Sequence, residues 1–180
     1  MPVMLIEEHR RYGIDATDAV WASDDMHALY HACGVSMLCD ADFVLETEAY
    51  ILLVEYKNAA IREAFAHTAD SGGYDPFEDK KIDKIVRKYY DSLHYLRLAG
   101  KSKPVRFIFV LEYRNGTSTS RKMLRNRLQR RLPFKLQRRF EACRKLIDAV
   151  DVVNIEEWNA HELYGRFPIL QVDGAGAPLR

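Results

Sequence analysis

Two apolar segments joined by a short polar turn constrain the fold of this chain more than any other feature. The segments cover residues 39–46 and 50–57, are rich in Val, Ile, Leu, Phe and Tyr, and flank Thr47-Glu48-Ala49. Such residues on both sides of a short turn predict two antiparallel strands, that is, a β-hairpin. We therefore expect a sheet in which this hairpin supplies two neighbouring strands.

Helices and two further strands are predicted along the rest of the chain. The apolar run 105–113 lacks alternation, which is typical of a strand covered on both faces, and residues 150–155 form a shorter strand candidate. A first helix is expected to begin near Ser23-Asp24-Asp25 and to end at Gly34. Further helices are predicted over residues 58–68, 79–99, 118–149 with an interruption at Pro133, and 156–164, with a loop over 69–78.

The order of these elements sets the expected fold class. It predicts an α/β protein in which a mixed β-sheet is flanked by helices on both faces. The length of 180 residues suits a single domain, expected over residues 1–170, followed by a loose tail over residues 171–180.

Composition excludes several classes of protein. With 48% hydrophobic and 29% charged residues, the chain is typical of a globular protein and not of a disordered one. No apolar run approaches the roughly 20 residues needed to span a bilayer, and the N-terminal residues lack the pattern of a signal peptide. The three cysteines have no CxxC spacing, so neither a disulfide framework nor a structural zinc site is expected. The expected setting is a reducing cytoplasm, without a membrane partner.

One register of the hairpin gathers charged side chains on a single face of the sheet. With the turn at residues 48–49, Asp42 lies opposite Glu55 and Asp40 lies opposite Lys57. Directly opposed residues share a face, with Cβ atoms about 5 Å apart, and a slip of one residue would separate the group. The other face is then apolar and carries Phe43, Leu45, Leu52, Val54 and Tyr56.

Two carboxylates beside a lysine suit the hydrolysis of a phosphodiester. That reaction uses a metal ion to polarise the phosphate and to lower the pKa of a bound water. Mg²⁺ prefers a few carboxylates with waters completing an octahedron, which makes Asp42 and Glu55 suitable ligands. A neighbouring lysine such as Lys57 can orient the water or stabilise charge on the phosphate. A cross-strand salt-bridge cluster on an exposed sheet face is the simpler alternative.

The segments Asp42-Phe-Val-Leu and Ile51-Leu-Leu-Val-Glu55-Tyr-Lys57-Asn58 resemble the active-site hairpin of the PD-(D/E)XK, or restriction-endonuclease-like, superfamily. The family core runs helix, three-stranded antiparallel meander, helix, strand. The resemblance implies that Asp42 and Glu55 bind Mg²⁺, with Mn²⁺ as a substitute and the Tyr56 carbonyl as a further ligand. Lys57 would then be the catalytic lysine.

Some positions depart from the family pattern or leave it open. Ala41 stands where the family has a proline before the aspartate, and a separate strand before the hairpin would have to come from residues 35–39. Asp40 competes with Asp42 for the first ligand role. The family's upstream helical acid has four candidates, which are Glu7, Glu8, Asp24 and Asp25.

Basic residues concentrate in one segment of a chain whose net charge is only +1. The segment 121–145 suggests a surface that contacts the phosphate backbone of nucleic acid, and a solvated helix face or an acidic partner protein are the alternatives. The candidate nucleic-acid contacts are Arg121, Lys122, Arg125, Arg130 and Arg131. A second group of basic residues, for which a solvated helix face is favoured over phosphate contact, comprises Lys80, Lys81, Lys84 and Lys88.

The function implied by the resemblance is that of a Mg²⁺-dependent endonuclease, a hydrolase whose expected substrate is DNA and whose product carries a 5′-phosphate. Two other interpretations stay open. One is a catalytically inactive nucleic-acid-binding module on the same fold, and the other is a protein-interaction domain that uses the basic helix. A homodimer is compatible with two cuts in a duplex, although no residue pattern demands one.

Overall fold

Eight strands and five α-helices form the part of the chain that the structure describes. The computed structural model describes residues 3–60, 74–140, 145–173 and 175–179. The strands are β1 (Met4–Ile6), β2 (Tyr12–Asp15), β3 (Trp21–Ser23), β4 (Phe43–Glu46), β5 (Ile51–Asn58), β6 (Val105–Glu112), β7 (Ile147–Val153) and β8 (Ile169–Gln171). The helices are α1 (Met26–Ala32), α2 (Asp79–Leu98), α3 (Ser118–Arg131), α4 (Phe134–Gln137) and α5 (Ile155–Ala160), and a 3-10 turn covers Tyr164–Arg166.

The strands make two sheets. Strands β3, β4, β5, β6 and β7 lie in that order in a five-stranded sheet, and β1, β2 and β8 form a three-stranded sheet. In the larger sheet β3, β4 and β5 pair antiparallel, whereas β5, β6 and β7 pair parallel. The described protein is therefore mixed α/β, as predicted.

The predicted hairpin is confirmed, including its register. Phe43 faces Val54 and Glu46 faces Ile51 across β4 and β5, which is the pairing that a turn at residues 48–49 requires. The strand that precedes the hairpin in the sheet is β3, and the segment 35–39 contains no strand, so that expectation is wrong. Helix α1 lies between β3 and β4 in the chain.

Helix α2 and strand β6 confirm two predictions, one made from an apolar stripe at helical spacing and the other from an apolar run without alternation. The helix predicted over 79–99 is observed over Asp79–Leu98, and its apolar stripe buries Ile82 and Tyr89 completely. Strand β6 is buried on both faces from Phe107 to Leu111, as expected for a run without alternation. Among the described residues, no helix is long and apolar enough to cross a membrane.

The segment after α3 corrects the predicted helix over 118–149. Leu132, which precedes Pro133, has an extended backbone with ψ 161°, because the proline ring disfavours a helical residue before it. After the short α4, strand β7 begins at Ile147, so the prediction of helix is wrong for 147–149 and the strand starts before 150. The helix predicted over 58–68 falls largely on residues 61–73, outside the described residues.

Helices pack against both faces of the larger sheet, as predicted, and the three-stranded sheet also packs against one of these faces. One face packs against α1, α2 and α3. The other packs against the three-stranded sheet and against Trp158 of α5. Strand β8 ends inside the segment 171–180 that was expected to be loose, and there Val172 is buried and pairs with Pro178.

Glu46, at the end of the larger sheet away from the cleft described below, provides a first test of the fold. Its carboxylate is buried and lies 2.7 Å from Lys101 Nζ and 2.8 Å from Lys103 Nζ. The hydrogen bonds from Lys101 and Lys103 hold the pKa of Glu46 below its ordinary value of 4.5.

We expect Glu46→Gln to lower the free energy of unfolding by about 1–3 kcal/mol at neutral pH, because it leaves two lysines without their shared carboxylate. A lowered pKa in the folded state stabilises the fold above pH 4.5, and this stabilisation is lost as pH falls through the folded pKa. The free energies of unfolding of the wild type and of Glu46→Gln, measured by urea denaturation at a series of pH values, should therefore converge at acid pH. An equal difference at every pH would contradict the assignment.

Candidate active site

A cleft of about 550 Å³ opens where β5 ends and α2 passes over the sheet. Five segments meet around it, which are the β1–β2 turn, the start of α1, the residues before β4, the end of β5, and α2. Charged side chains predominate in its lining and include Glu8, Asp24, Asp40, Asp42, Lys57 and Lys88. The predicted residues Asp42 and Lys57 therefore face one shared space.

Asp42 is held in the cleft by bonds to both neighbouring elements. Its Oδ2 accepts a hydrogen bond of 2.7 Å from the backbone N–H of Tyr56 in β5. On the α2 side, Ser92 Oγ accepts from the N–H of Ala41 at 3.0 Å, which fixes the backbone just before Asp42. The pairing of β4 with β5 begins at Phe43 and Val54, so Asp42 lies just before the strand and is not itself paired with Glu55, but its bond to Tyr56 places it beside the end of β5.

Glu55 and Asp42 converge on one lysine of α2. The Nζ atom of Lys88 lies 2.7 Å from Glu55 Oε2 and 3.5 Å from Asp42 Oδ1. Glu55 and Lys88 have side chains that are only 9% and 18% exposed, and Asp42 is 33% exposed at the mouth of the cleft. The group is therefore a covered cluster beneath a helix, which disagrees with the alternative of a salt bridge on an exposed sheet face.

The electrostatics of this cluster leave the carboxylates short of positive charge. Burial, together with the charge of Asp42, raises the pKa of Glu55 to about 8 against the opposing effect of Lys88. Burial also raises the pKa of Asp42, with Lys88 and the Tyr56 N–H acting in the opposite direction. Burial alone would lower the pKa of Lys88, but Glu55 and Asp42 outweigh it and raise that pKa. One ammonium thus compensates two carboxylates only in part.

Lys57 lies on the same face of β5 as Glu55, because residues two apart on a strand point the same way. It lines the cleft, and its Nζ is 5.9 Å from the ring centre of Tyr74. The side chain of Tyr56 lies on the other face, where its ring centre is 6.1 Å from that of Tyr12. The side chain of Tyr56 therefore points away from Glu55 and Lys57.

The donor set fits a hard divalent cation such as Mg²⁺. Asp42 and Glu55 already approach one positively charged atom, so a cation could contact both carboxylates. Oxygen ligands are those that Mg²⁺ prefers, and its divalent charge would offset the repulsion between the pair. Across the described ranges, no three His, Cys, Asp or Glu side chains cluster closely enough to hold a metal. Water, a backbone carbonyl or a phosphate oxygen would have to complete the shell.

The four candidates for an upstream acid differ in their surroundings. The carboxylate of Glu7 accepts from the backbone N–H groups of His9 and Arg11, both at 2.7 Å, and so stabilises the β1–β2 turn. Asp25 accepts from Tyr95 at 2.7 Å and also bonds Ser23. Glu7, Glu8 and Asp24 all line the cleft, and because the carboxylate of Glu7 is engaged by the backbone, Glu8 and Asp24 are the better placed candidates for an additional acid there.

Asp40 has a different partner from the one that the hairpin register suggested. The β4–β5 ladder ends at Phe43 and Val54, so Asp40 lies before the strand and is not paired with Lys57. Its Oδ1 lies 3.0 Å from Nδ1 of His27 on α1. The two side chains stand side by side at the wall of the cleft.

The basic segment divides into paired and exposed residues. Arg121 is buried against Glu157, Arg131 contacts Asp79 and Asp83, and Arg125 is 3.9 Å from Asp151. Among the described residues of this segment, the exposed basic ones are Lys122, Arg130, Lys135, Arg138, Arg139 and Lys145, and Lys145 pairs with Asp148. None of the described residues that line the cleft belongs to α3, so this basic surface is separate from the cleft.

Lys88 is the site residue that the sequence interpretation assigned to a solvated helix face. In the structure its side chain extends from α2 toward the sheet and contacts two carboxylates, which corrects that expectation for Lys88. Lys80 and Lys84 are exposed, as expected. Lys88 stands next to the buried Tyr89 on α2, so its place at the edge of the apolar stripe was the available signal.

Comparison with protein-family models, with curated proteins and with solved structures finds no match for the chain. The geometry of the cleft and the chemistry of its side chains therefore carry the functional argument.

Proposed function

We propose that the protein is a Mg²⁺-dependent nuclease that hydrolyses phosphodiester bonds in this cleft, with DNA as its substrate. One observation carries the proposal: carboxylates from two adjacent strand segments, Asp42 and Glu55, converge on a single cationic atom. Buried carboxylates with too little positive charge nearby are unfavourable for folding alone, and such arrangements concentrate at functional sites.

In the proposed mechanism, Asp42 and Glu55 hold the metal. A metal held there would supply Lewis-acid polarisation of the phosphate and activation of a water. The N–H of Tyr56 keeps the carboxylate of Asp42 turned toward the site. Lys57 orients the attacking water or stabilises charge on the phosphate from the same face of β5. The packing of α2 over Glu55 limits access of bulk water to that ligand.

We further propose that the fold is of the restriction-endonuclease-like type. Its support is the order of elements, in which antiparallel β3, β4 and β5 are followed by α2 and then by parallel β6. The position of α1, between β3 and β4, differs from the family pattern, in which a helix precedes the meander. The PD-(D/E)XK assignment thus depends chiefly on the hairpin and its Asp42, Glu55 and Lys57.

The proposed substrate follows from the charges around the cleft and on α3. Lys57 and Lys84 line the cleft and can contact phosphates, while Lys122 and Arg130 offer a second, separate surface for the nucleic-acid backbone. Contacts of this kind position a nucleic acid without reading its sequence. We accordingly propose binding that depends strongly on salt and little on base sequence.

A catalytically inactive nucleic-acid-binding module is the second candidate. The observation that favours it is the ion pair of Lys88 with Glu55, since an internal ammonium can stabilise the carboxylates without a metal. The two candidates differ in whether the cluster binds metal.

The test is a metal titration combined with a cleavage assay on the full chain. We expect calorimetry to show one Mn²⁺ or Mg²⁺ site, and we expect cleavage of plasmid or single-stranded DNA that stops when EDTA removes the metal. Absence of both metal binding and cleavage of DNA or RNA would show that the enzyme proposal is wrong. DNA binding with a steep salt dependence, but without cleavage, would instead favour the inactive module.

A further inference from the structure

Lys88 occupies the position at which the two proposed ligands meet. Its ammonium is 2.7 Å from Glu55 and 3.5 Å from Asp42, a separation at which a metal ion contacting both oxygens would collide with it or be strongly repelled. The same side chain also lines the open cleft. A lysine has a flexible four-carbon stem, so its ammonium can move without any shift of the helix backbone.

We propose that Lys88 is an exchangeable internal cation, which holds the two carboxylates together in the metal-free protein and leaves them when Mg²⁺ binds. The released ammonium then turns into the cleft and contacts a phosphate of the bound nucleic acid. This inference rests on the proposed function, and it adds a regulatory and substrate-positioning role for a residue of α2.

The exchange has a defined physical consequence. In the metal-free protein Lys88 stabilises the fold by separating two like charges that burial brings together. The same contact opposes metal binding, because Mg²⁺ must replace an existing cation instead of entering a vacant pair. When phosphate and metal are both present, the displaced ammonium gains a new anionic partner, so nucleic acid and metal favour each other's binding.

The main test compares Lys88→Met with the wild type by Mn²⁺ calorimetry on the full chain without nucleic acid. Methionine keeps an unbranched stem of similar length and removes the charge. We expect the Mn²⁺ affinity to rise by about tenfold, within the range of typical coupling between two binding events. We also expect the metal-free variant to have a lower Tm, and saturating Mn²⁺ to raise that Tm by more than it does for the wild type.

Two further variants control for charge and folding. Lys80→Met removes an exposed lysine from the same helix outside the cleft lining, and we expect it to leave the Mn²⁺ affinity unchanged. Lys88→Arg keeps the positive charge, so its metal affinity should not exceed that of the wild type. If Lys88→Met folds only with metal present, the Mn²⁺ dependence of its Tm, read against that of Lys88→Arg, gives the same comparison.

The coupling to nucleic acid is read separately, by fluorescence anisotropy of a labelled duplex with Ca²⁺ in place of Mg²⁺. We expect Lys88→Met to bind the duplex more weakly than the wild type in Ca²⁺, despite its tighter metal binding. Unchanged or weaker Mn²⁺ affinity in Lys88→Met, with metal binding intact in the wild type, would overturn this inference alone. If neither protein binds metal, the proposed function fails together with it.

Discussion

Replacing Glu55 by glutamine is expected to lower the rate of Mg²⁺-dependent cleavage at least about 10³-fold while the protein stays folded. An amide oxygen lacks the negative charge with which a carboxylate holds Mg²⁺, so the metal should bind far more weakly. Single-turnover cleavage assays and Mn²⁺ calorimetry measure the two effects directly.

The fold should tolerate this change because Glu55 is an unfavourable place for a charge. Burial raises the pKa of its carboxyl to about 8, which means that the environment disfavours the ionised form. Glutamine has the same shape, and its amide oxygen can still accept the 2.7 Å hydrogen bond from Lys88. Urea denaturation of the metal-free variant at pH 8 should therefore give a free energy of unfolding no lower than that of the wild type.

Matched variants separate loss of the ligand from loss of structure. Glu48→Gln changes an exposed acid at the turn of the same hairpin and should cleave at the wild-type rate. Asp42→Asn should lose cleavage like Glu55→Gln, because it removes the other carboxylate ligand. It should stay folded, since its amide oxygen can still accept from the N–H of Tyr56. A folded Glu55→Gln protein that cleaves at the wild-type rate would exclude Glu55 as a metal ligand.

The parts of the fold that could be predicted are those specified by local pattern. An apolar stripe at helical spacing identified α2, and an unbroken apolar run identified β6, both with nearly correct ends. The hairpin register followed from a single choice of turn, because a shift of one residue would have exchanged the apolar face of β4 and β5 with the charged one. The same register predicted that Asp42 and Glu55 lie close together.

The parts that could not be predicted depend on long-range packing. Strands β1, β3 and β8 have only three residues each, too few for a periodic pattern, and each exists because a partner strand supplies its hydrogen bonds. Strand β7 was assigned partly to a helix, since the sequence before it continues a basic, helix-compatible composition. The sequence pattern alone does not show that the residues after the basic segment pair in parallel with β6.

Contacts between distant charged residues were also beyond local inference. Lys88 is 33 positions from Glu55 in the chain, and Arg121 is 36 positions from Glu157. Both cations occur among other lysines or arginines, and only the docking of α2 and α5 distinguishes them from their exposed neighbours. Charge density along a sequence therefore indicated basic segments without separating structural cations from exposed ones.

Arg121 and Arg130 should consequently respond to mutation in opposite ways. Arg121 is 8% exposed and binds Glu157 through two hydrogen bonds, of 2.7 Å from Nε and 2.6 Å from a terminal nitrogen. Arg121→Met should lower the free energy of unfolding by about 1–3 kcal/mol, because it removes two hydrogen bonds to a carboxylate that solvent screens only in part. The affinity of the folded variant for nucleic acid should stay at the wild-type level.

Removing the exposed cations Lys122 and Arg130 together should weaken the binding of nucleic acid and leave the free energy of unfolding almost unchanged. Surface substitutions of this kind change stability by no more than about 0.5 kcal/mol each. If α3 contacts the phosphate backbone, each lost charge should reduce the slope of log affinity against log salt by about 1. Anisotropy titrations of a labelled duplex at several salt concentrations, run beside urea denaturation, measure both quantities. The opposite pattern would be weakened binding in folded Arg121→Met with full binding in the double variant. It would mean that Arg121 itself contacts the nucleic acid and leaves Glu157 when the duplex binds.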